Sequence, residues 1–187
     1  MKVTEIMKQE HRVIEGIVPV LENAALSLIR QQELDEDIFP EIVDFLRVFA
    51  DECHHGLEES HFFPAMGEAG IDTESGLVRD LKEEHKAMRR LVRKIAELWE
   101  DFSYACAART AEDIHAAVQV FVRVLPAHIR KEDDTCFPMA DEALSAEQQA
   151  RLAAQYQEIQ SRELCSGVIV HYGDVLTRLQ ARLRGGS

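Results

Sequence analysis

The chain has 187 residues, with 21 Lys+Arg against 34 Asp+Glu and a formal net charge of −13. That length suits one domain with a substantial core over 1–183, leaving 184–187 as a disordered tail, and the acidic balance excludes a general nucleic-acid-binding or anionic-membrane surface. No signal-peptide pattern opens the sequence and no apolar run reaches membrane-spanning length, so the expected setting is cytoplasmic.

With 5 prolines, 9 glycines and apolar residues recurring at spacings of three and four, the pattern is all-α. Helix A is predicted over about 4–31, burying Ile6, Val13, Ile14, Ile17, Leu21 and Leu28 and bending at Pro19. Helix B follows over about 35–64, and Gly67, Gly70, Ile71 and Asp72 break the chain before helix C at about 73–106. Helix D runs over about 111–139 from a cap-like Thr110-x-x-Asp113, and Ser145-x-x-Gln148 is a capping box opening a fifth helix, E, to about 183. Short connections imply an up-down-up-down four-helix bundle with E packed alongside. Cys53, Cys106, Cys136 and Cys165 have no CxxC spacing and no short disulfide framework, and are expected as reduced, mostly buried thiols.

One phrase in this helical pattern occurs twice. Glu10-His11, His54-x3-Glu58-Glu59 and Phe63-Pro64 return 74 positions later as Glu84-His85, His128-x3-Glu132-Asp133 and Phe137-Pro138. A repeat that keeps histidines and carboxylates while its apolar residues drift predicts two half-sites about a pseudo-two-fold axis. Residues four apart share a helix face, so His54 with Glu58 and His128 with Glu132 are each a ready pair. In an up-down-up-down bundle the C-terminal ends of B and D lie beside the N-terminal ends of A and C. Six ligands then converge: His11, His54, Glu58, His85, His128 and Glu132. A lone His-x3-Glu is usually an ordinary surface or core pair, but two copies, each with a histidine 43 residues upstream and Phe-Pro downstream, are a different matter. Four imidazoles and two carboxylates exceed the needs of a four-coordinate zinc and suit two octahedral-preferring ions, iron first and manganese next. Glu58 and Glu132 would bridge them, with the histidines terminal.

On these residues the sequence resembles the hemerythrin-like, or HHE cation-binding, domain over about residues 5–140. The resemblance implies a four-helix bundle with a non-haem di-iron centre, its ligands falling on the same six positions. Two departures matter. The family's oxygen carriers have a second histidine one turn from the first on the third helix, where this chain has Leu81 and Arg89 around His85. They also tend to use aspartate where Glu132 stands. The four-His, two-Glu set looks more like the di-iron proteins implicated in repairing damaged iron centres, which usually carry an additional N-terminal cysteine-bearing domain that is not expected here.

Several neighbours stay open on the sequence. Glu15, one turn after His11, reads as a seventh ligand, a partner for Arg89 or a solvated residue, and Arg89 itself reads as a possible outer support of the site. His61 reads as outer support or rim, because Thr135 replaces it in the repeat. His55 points about 100° from His54 on an α-helix and is expected to be packed or exposed, not ligating, since Ile129 replaces it. His171 could reach the metal from helix E, but is not expected to. Cys53 and Cys136 are expected as structural thiols. The ferritin-like pairs Glu52-x-x-His55 and Glu112-x-x-His115 would differ in height by roughly 20 Å and cannot share a site. The expected function is redox chemistry on a small diatomic or peroxide ligand (nitric oxide, peroxide or oxygen), or iron-centre repair; the alternative is a reversible oxygen or iron binder or sensor.

Overall fold

The computed structural model describes residues 2–30, 36–105, 108–161, 165 and 167–185, and among these there are helices and no strand. Helix α1 (Val3–Glu15) is followed by α2 (Ile17–Ile29). Helix α3 (Ile38–Asp44) runs on through π-helical stretches Phe45–His55 and Glu58–Phe62 into α4 (Phe63–Glu68). Helix α5 spans Gly76–Ala105. Helix α6 (Ala108–Lys131) continues through a third π-helical stretch, Glu132–Cys136, into α7 (Phe137–Ala143). Helices α8 (Ala146–Ser161) and α9 (Val168–Gly185) close the chain.

The two short π-helical stretches have a cause in the repeat. Pro64 and Pro138 lack the N–H that an α-helix would offer to the carbonyl four residues back, and their rings crowd it. The turn before each widens instead of breaking. Both stretches end immediately before Phe-Pro, at equivalent places in the two halves.

Predicted helix A divides. Pro19 leaves the Glu15 carbonyl without its donor, so α1 stops at Glu15 and α2 starts anew at Ile17, with Gly16 between them. A Cβ on Gly16 would lie 2.3 Å from Leu176 Cδ2, so glycine here admits α9 against the break. Predicted helix E is likewise not one run: α8 ends at Ser161, and α9 begins at Val168 directly after Gly167, whose φ of +64° lies outside the helical range. Helix α9 continues through Gly185, into the expected tail. The Ser145 capping box forms, with Ser145 N–H donating to Gln148 at 3.0 Å and Gln148 N–H to Ser145 Oγ at 3.2 Å. Thr110, expected as a cap, lies inside α6 instead.

Apolar faces of all these elements meet in one core. Phe39, Phe45, Phe49, Phe62, Phe63 and Phe137 are fully buried in it, each stabilising the fold by roughly 1.5–3 kcal/mol relative to exposure. Ile14, Ile17, Leu21 and Leu28 are buried as expected, whereas Ile6 and Val13 are only half-buried. Helix α5 packs along α6, α2 along α6, and α9 across α1, α2 and the Phe45–His55 stretch. No helix among the described residues is long and apolar enough to cross a membrane.

One sequence expectation fails outright. Cys53 and Cys165 are joined in a disulfide, 112 residues apart; the fold brings the start of α9 to the residue before His54, a proximity that spacing alone does not reveal. Cys136 is a free, buried thiol, and Cys106 lies outside the described residues.

Candidate metal centre

All six expected residues meet, and each is at most 1% exposed. His11 Nε2 stands 2.8 Å from His54 Nε2, and His85 Nε2 stands 3.1 Å from His128 Nε2. Between the two pairs lie the carboxylates. Glu58 turns one oxygen to His54 Nε2 at 3.7 Å and the other to His85 Nε2 at 3.4 Å. Glu132 turns Oε2 to His11 Nε2 at 3.3 Å and Oε1 to His128 Nε2 at 3.1 Å. Each carboxylate therefore spans both imidazole pairs.

The far side of every ring is fixed by another carboxylate. Glu10 holds His54 Nδ1 at 2.8 Å, Glu59 holds His85 Nδ1 at 2.8 Å, Glu84 holds His128 Nδ1 at 3.0 Å, and Asp133 holds His11 Nδ1 at 2.7 Å. In each contact the carboxylate comes from one helical segment and the histidine from the next, and the last returns to the first. The four contacts form a closed ring with a single sense around the site. A ring nitrogen engaged this way leaves Nε2 as the free lone pair facing inward.

These outer carboxylates are themselves held. Glu59 takes Arg89 at 2.9 Å, Glu84 takes Lys131, Asp133 takes Arg12, and Glu10 takes the Tyr156 hydroxyl at 2.9 Å. Phe137 stacks on His11 with centroids 5.4 Å apart, and Phe63 on His85 at 6.1 Å, so the repeated aromatic braces the repeated ligand.

Electrostatically the site is unfinished as a purely protein assembly. None of the four oxygens of Glu58 and Glu132 has a hydrogen bond that closes on it, though all are buried. Burial and the adjacent Glu132 charge push Glu58 up. Burial opposes ionisation of Glu132 too, but His128, His11 and His85 hold it well below the usual carboxylate range. Burial alone would lower His11, yet Asp133 and Glu132 raise it to about 9; His128 is likewise opposed by burial but raised by Glu132 and Glu84 to about 10. Buried, unpartnered acceptors facing buried imidazole nitrogens suit a bound cation. The spacing agrees: two nitrogens at about 2.1 Å from one ion and at right angles lie about 3 Å apart, against the 2.8 and 3.1 Å found.

Among the flanking candidates, Glu15 turns outward to Arg12 at 2.8 Å, so it meets neither the cluster nor Arg89. Arg89 bridges Asp51 at 2.7 Å and Glu59. His61 is half-buried and outside the cluster, and exposed His171 borders a surface pocket with Asp37 and Asp44. His55 is buried and stacks on His85, with centroids 3.9 Å apart. The four carboxylates that orient the histidines were not singled out from the sequence as supports, although all four stand in the repeated phrase beside a ligand.

A fold built of helices that closes four histidines and two glutamates into one buried cluster defines a cation-binding helical domain. The chain belongs to the hemerythrin HHE cation-binding domain family, which matches it over residues 2–140. It is also 24% identical over 159 residues to the uncharacterized proteins Rv1995 of Mycobacterium tuberculosis and Mb2018 of Mycobacterium bovis. These alignments cover 84% of this chain and 61% of each relative, so the chain spans about 61% of the length of the relatives it matches.

Proposed function

We propose that the chain is a hemerythrin-like protein holding two iron ions, with His11 and His54 on one, His85 and His128 on the other, and Glu58 and Glu132 shared between them. Manganese is the next candidate. In this reading α1–α2, α3–α4, α5 and α6–α7 form an up-down-up-down four-helix bundle related by a pseudo-two-fold axis. The observation that carries it is the set of four unpartnered carboxylate oxygens, each facing an inward Nε2.

Iron held there supplies redox and Lewis-acid chemistry toward a small ligand at open coordination positions. The chain's own residues prepare that chemistry. The outer carboxylates keep each imidazole in one tautomer, and the phenylalanines exclude bulk water. A cavity of about 240 Å³ beside the cluster is lined by Leu46, Met88 and Phe121 together with Asp51, His55 and Arg89. We therefore favour redox chemistry on oxygen, nitric oxide or peroxide over reversible storage.

Elemental analysis of protein grown with adequate iron tests the site: about two irons per chain are expected, and His54→Ala and His128→Ala lose most of that iron. Full iron in both variants overturns the assignment. Mixing the reduced, iron-loaded protein with oxygen, nitric oxide and peroxide in turn, followed by stopped-flow absorbance, tests the chemistry. A fully reversible oxygen spectrum with no peroxide consumption promotes the binder reading.

A further inference from the structure

Five of the eight histidines are buried: His11, His54, His55, His85 and His128. All five, not four, have a carboxylate at Nδ1, because Asp51 stands 3.3 Å from His55 Nδ1. The other three, His61, His115 and His171, have no such partner among the described residues. Asp51 is fixed in turn by Arg89, as the other supports are fixed by their own partners. A histidine that binds a metal hands its other ring N–H to a carboxylate or carbonyl, so the feature that marks the four ligands marks His55 as well.

Position agrees with orientation. The His55 ring lies over His85 and edge-on to His128, at a centroid distance of 5.7 Å. One ligand atom from each of His55, His85 and His128 falls within 4.8 Å of the others. With Nδ1 turned to Asp51, the atom available to a metal is Nε2. The equivalent position in the other half is Ile129, buried and without a donor atom.

We propose that His55, turned from its stacked position on His85 so that its ring plane meets the ion, is a fifth imidazole ligand, joining His85 and His128 on one ion and making the two half-sites chemically unequal. This rests on the reading that the cluster holds two metal ions. Its consequence is division of labour: the ion with three imidazoles has fewer open positions than the ion of His11 and His54.

The test uses the full chain loaded with ferrous iron, compared with His55→Ala and His55→Phe. Phenylalanine keeps a ring stacked on His85 but offers no ligand atom. In the wild type we expect two distinct Mössbauer quadrupole doublets. In both variants we expect one of the two irons to pass to a chelator at least about tenfold faster, with the doublets moving toward each other. Retention of both irons by His55→Phe with only His55→Ala affected makes His55 a packing residue and overturns the proposal, as do wild-type kinetics and spectra in both variants. Failure of the wild type to take up iron overturns the metal-centre reading itself, which separates the two. Should either variant fail to fold, hyperfine spectroscopy of the wild type labelled with ¹⁵N-histidine decides directly: five coupled imidazoles support the proposal and four overturn it.

Discussion

Tyr156 donates its hydroxyl to Glu10 Oε1 at 2.9 Å, and the other oxygen of Glu10 holds His54 Nδ1. Helix α8, beyond the segment that matches the family, thus reaches the proposed iron through two intermediate residues, Glu10 and His54. Burial and the Glu10 charge push the Tyr156 pKa up, so it stays a donor at any ordinary pH. Tyr156→Phe removes one hydrogen bond of about 0.5–1.5 kcal/mol, and iron affinity measured by chelator competition is expected to drop about threefold to tenfold. Unchanged affinity would detach α8 from the site.

Glu10 and Glu84 occupy matching places in the two halves and do the same job. Glu10→Ala and Glu84→Ala are each expected to weaken iron binding by about 10–100-fold, with helix content by circular dichroism preserved. Glu15→Ala, which removes an ion pair with Arg12 outside the cluster, is expected to leave affinity unchanged. Equal effects in all three variants would mean that general charge, not orientation, governs binding.

Removing a carboxylate from the centre should separate stability from binding. Glu58 is fully buried beside Glu132, with no hydrogen bond to either oxygen. Glu58→Gln abolishes that repulsion and is expected to stabilise the metal-free chain by about 1–3 kcal/mol while lowering its iron content. Thermal melts after chelator treatment check this, and a lower metal-free Tm in the variant contradicts it.

The histidines set a pH dependence of definite sign in the metal-free protein. His11 and His128 are raised to about 9 and about 10 in the folded chain, against an ordinary value of about 6.5. Their stabilisation is therefore complete below about pH 6.5 and is lost as pH rises through 9 to 10. Chelator-treated protein should melt lower at alkaline pH than near neutrality, and the iron-loaded form, whose imidazoles are neutral ligands, should show a flatter profile. A metal-free Tm that climbs across the window rejects this account.

The Cys53–Cys165 bridge closes a loop of 112 residues, for which loss of a native disulfide costs about 2–5 kcal/mol. Cys165→Ala should lower the denaturant midpoint accordingly. A midpoint unchanged between oxidised and reduced wild type would show that the bridge contributes nothing.

The six convergent residues were legible because an exact offset of 74 preserved them while their surroundings changed. What escaped were relationships that no spacing encodes. Arg89 has a place around the site on the sequence, but its partners Glu59 and Asp51 stand on another helix and no spacing names them. His55, about 100° from His54 on an α-helix, is packed as expected, but that its packing partner is His85 is not legible from spacing. The π-helical turn holds more residues per turn and narrows that angle, bringing the ring inward. Pro19 gave the right disturbance at the wrong residue, since a proline acts on the carbonyl four positions upstream.

The closed ring of histidine–carboxylate contacts has an ancestral implication. One half supplies a histidine, a His-x3-Glu pair and two orienting carboxylates, so a two-helix hairpin paired with a copy of itself would already contain every group the ring requires. Such a dimer is bound by its own symmetry, and each substitution appears twice. Once the copies share one polypeptide they diverge separately, as Asp133 has from Glu59 and Ile129 from His55. Covalent duplication is what frees the two halves of such a centre to follow different careers.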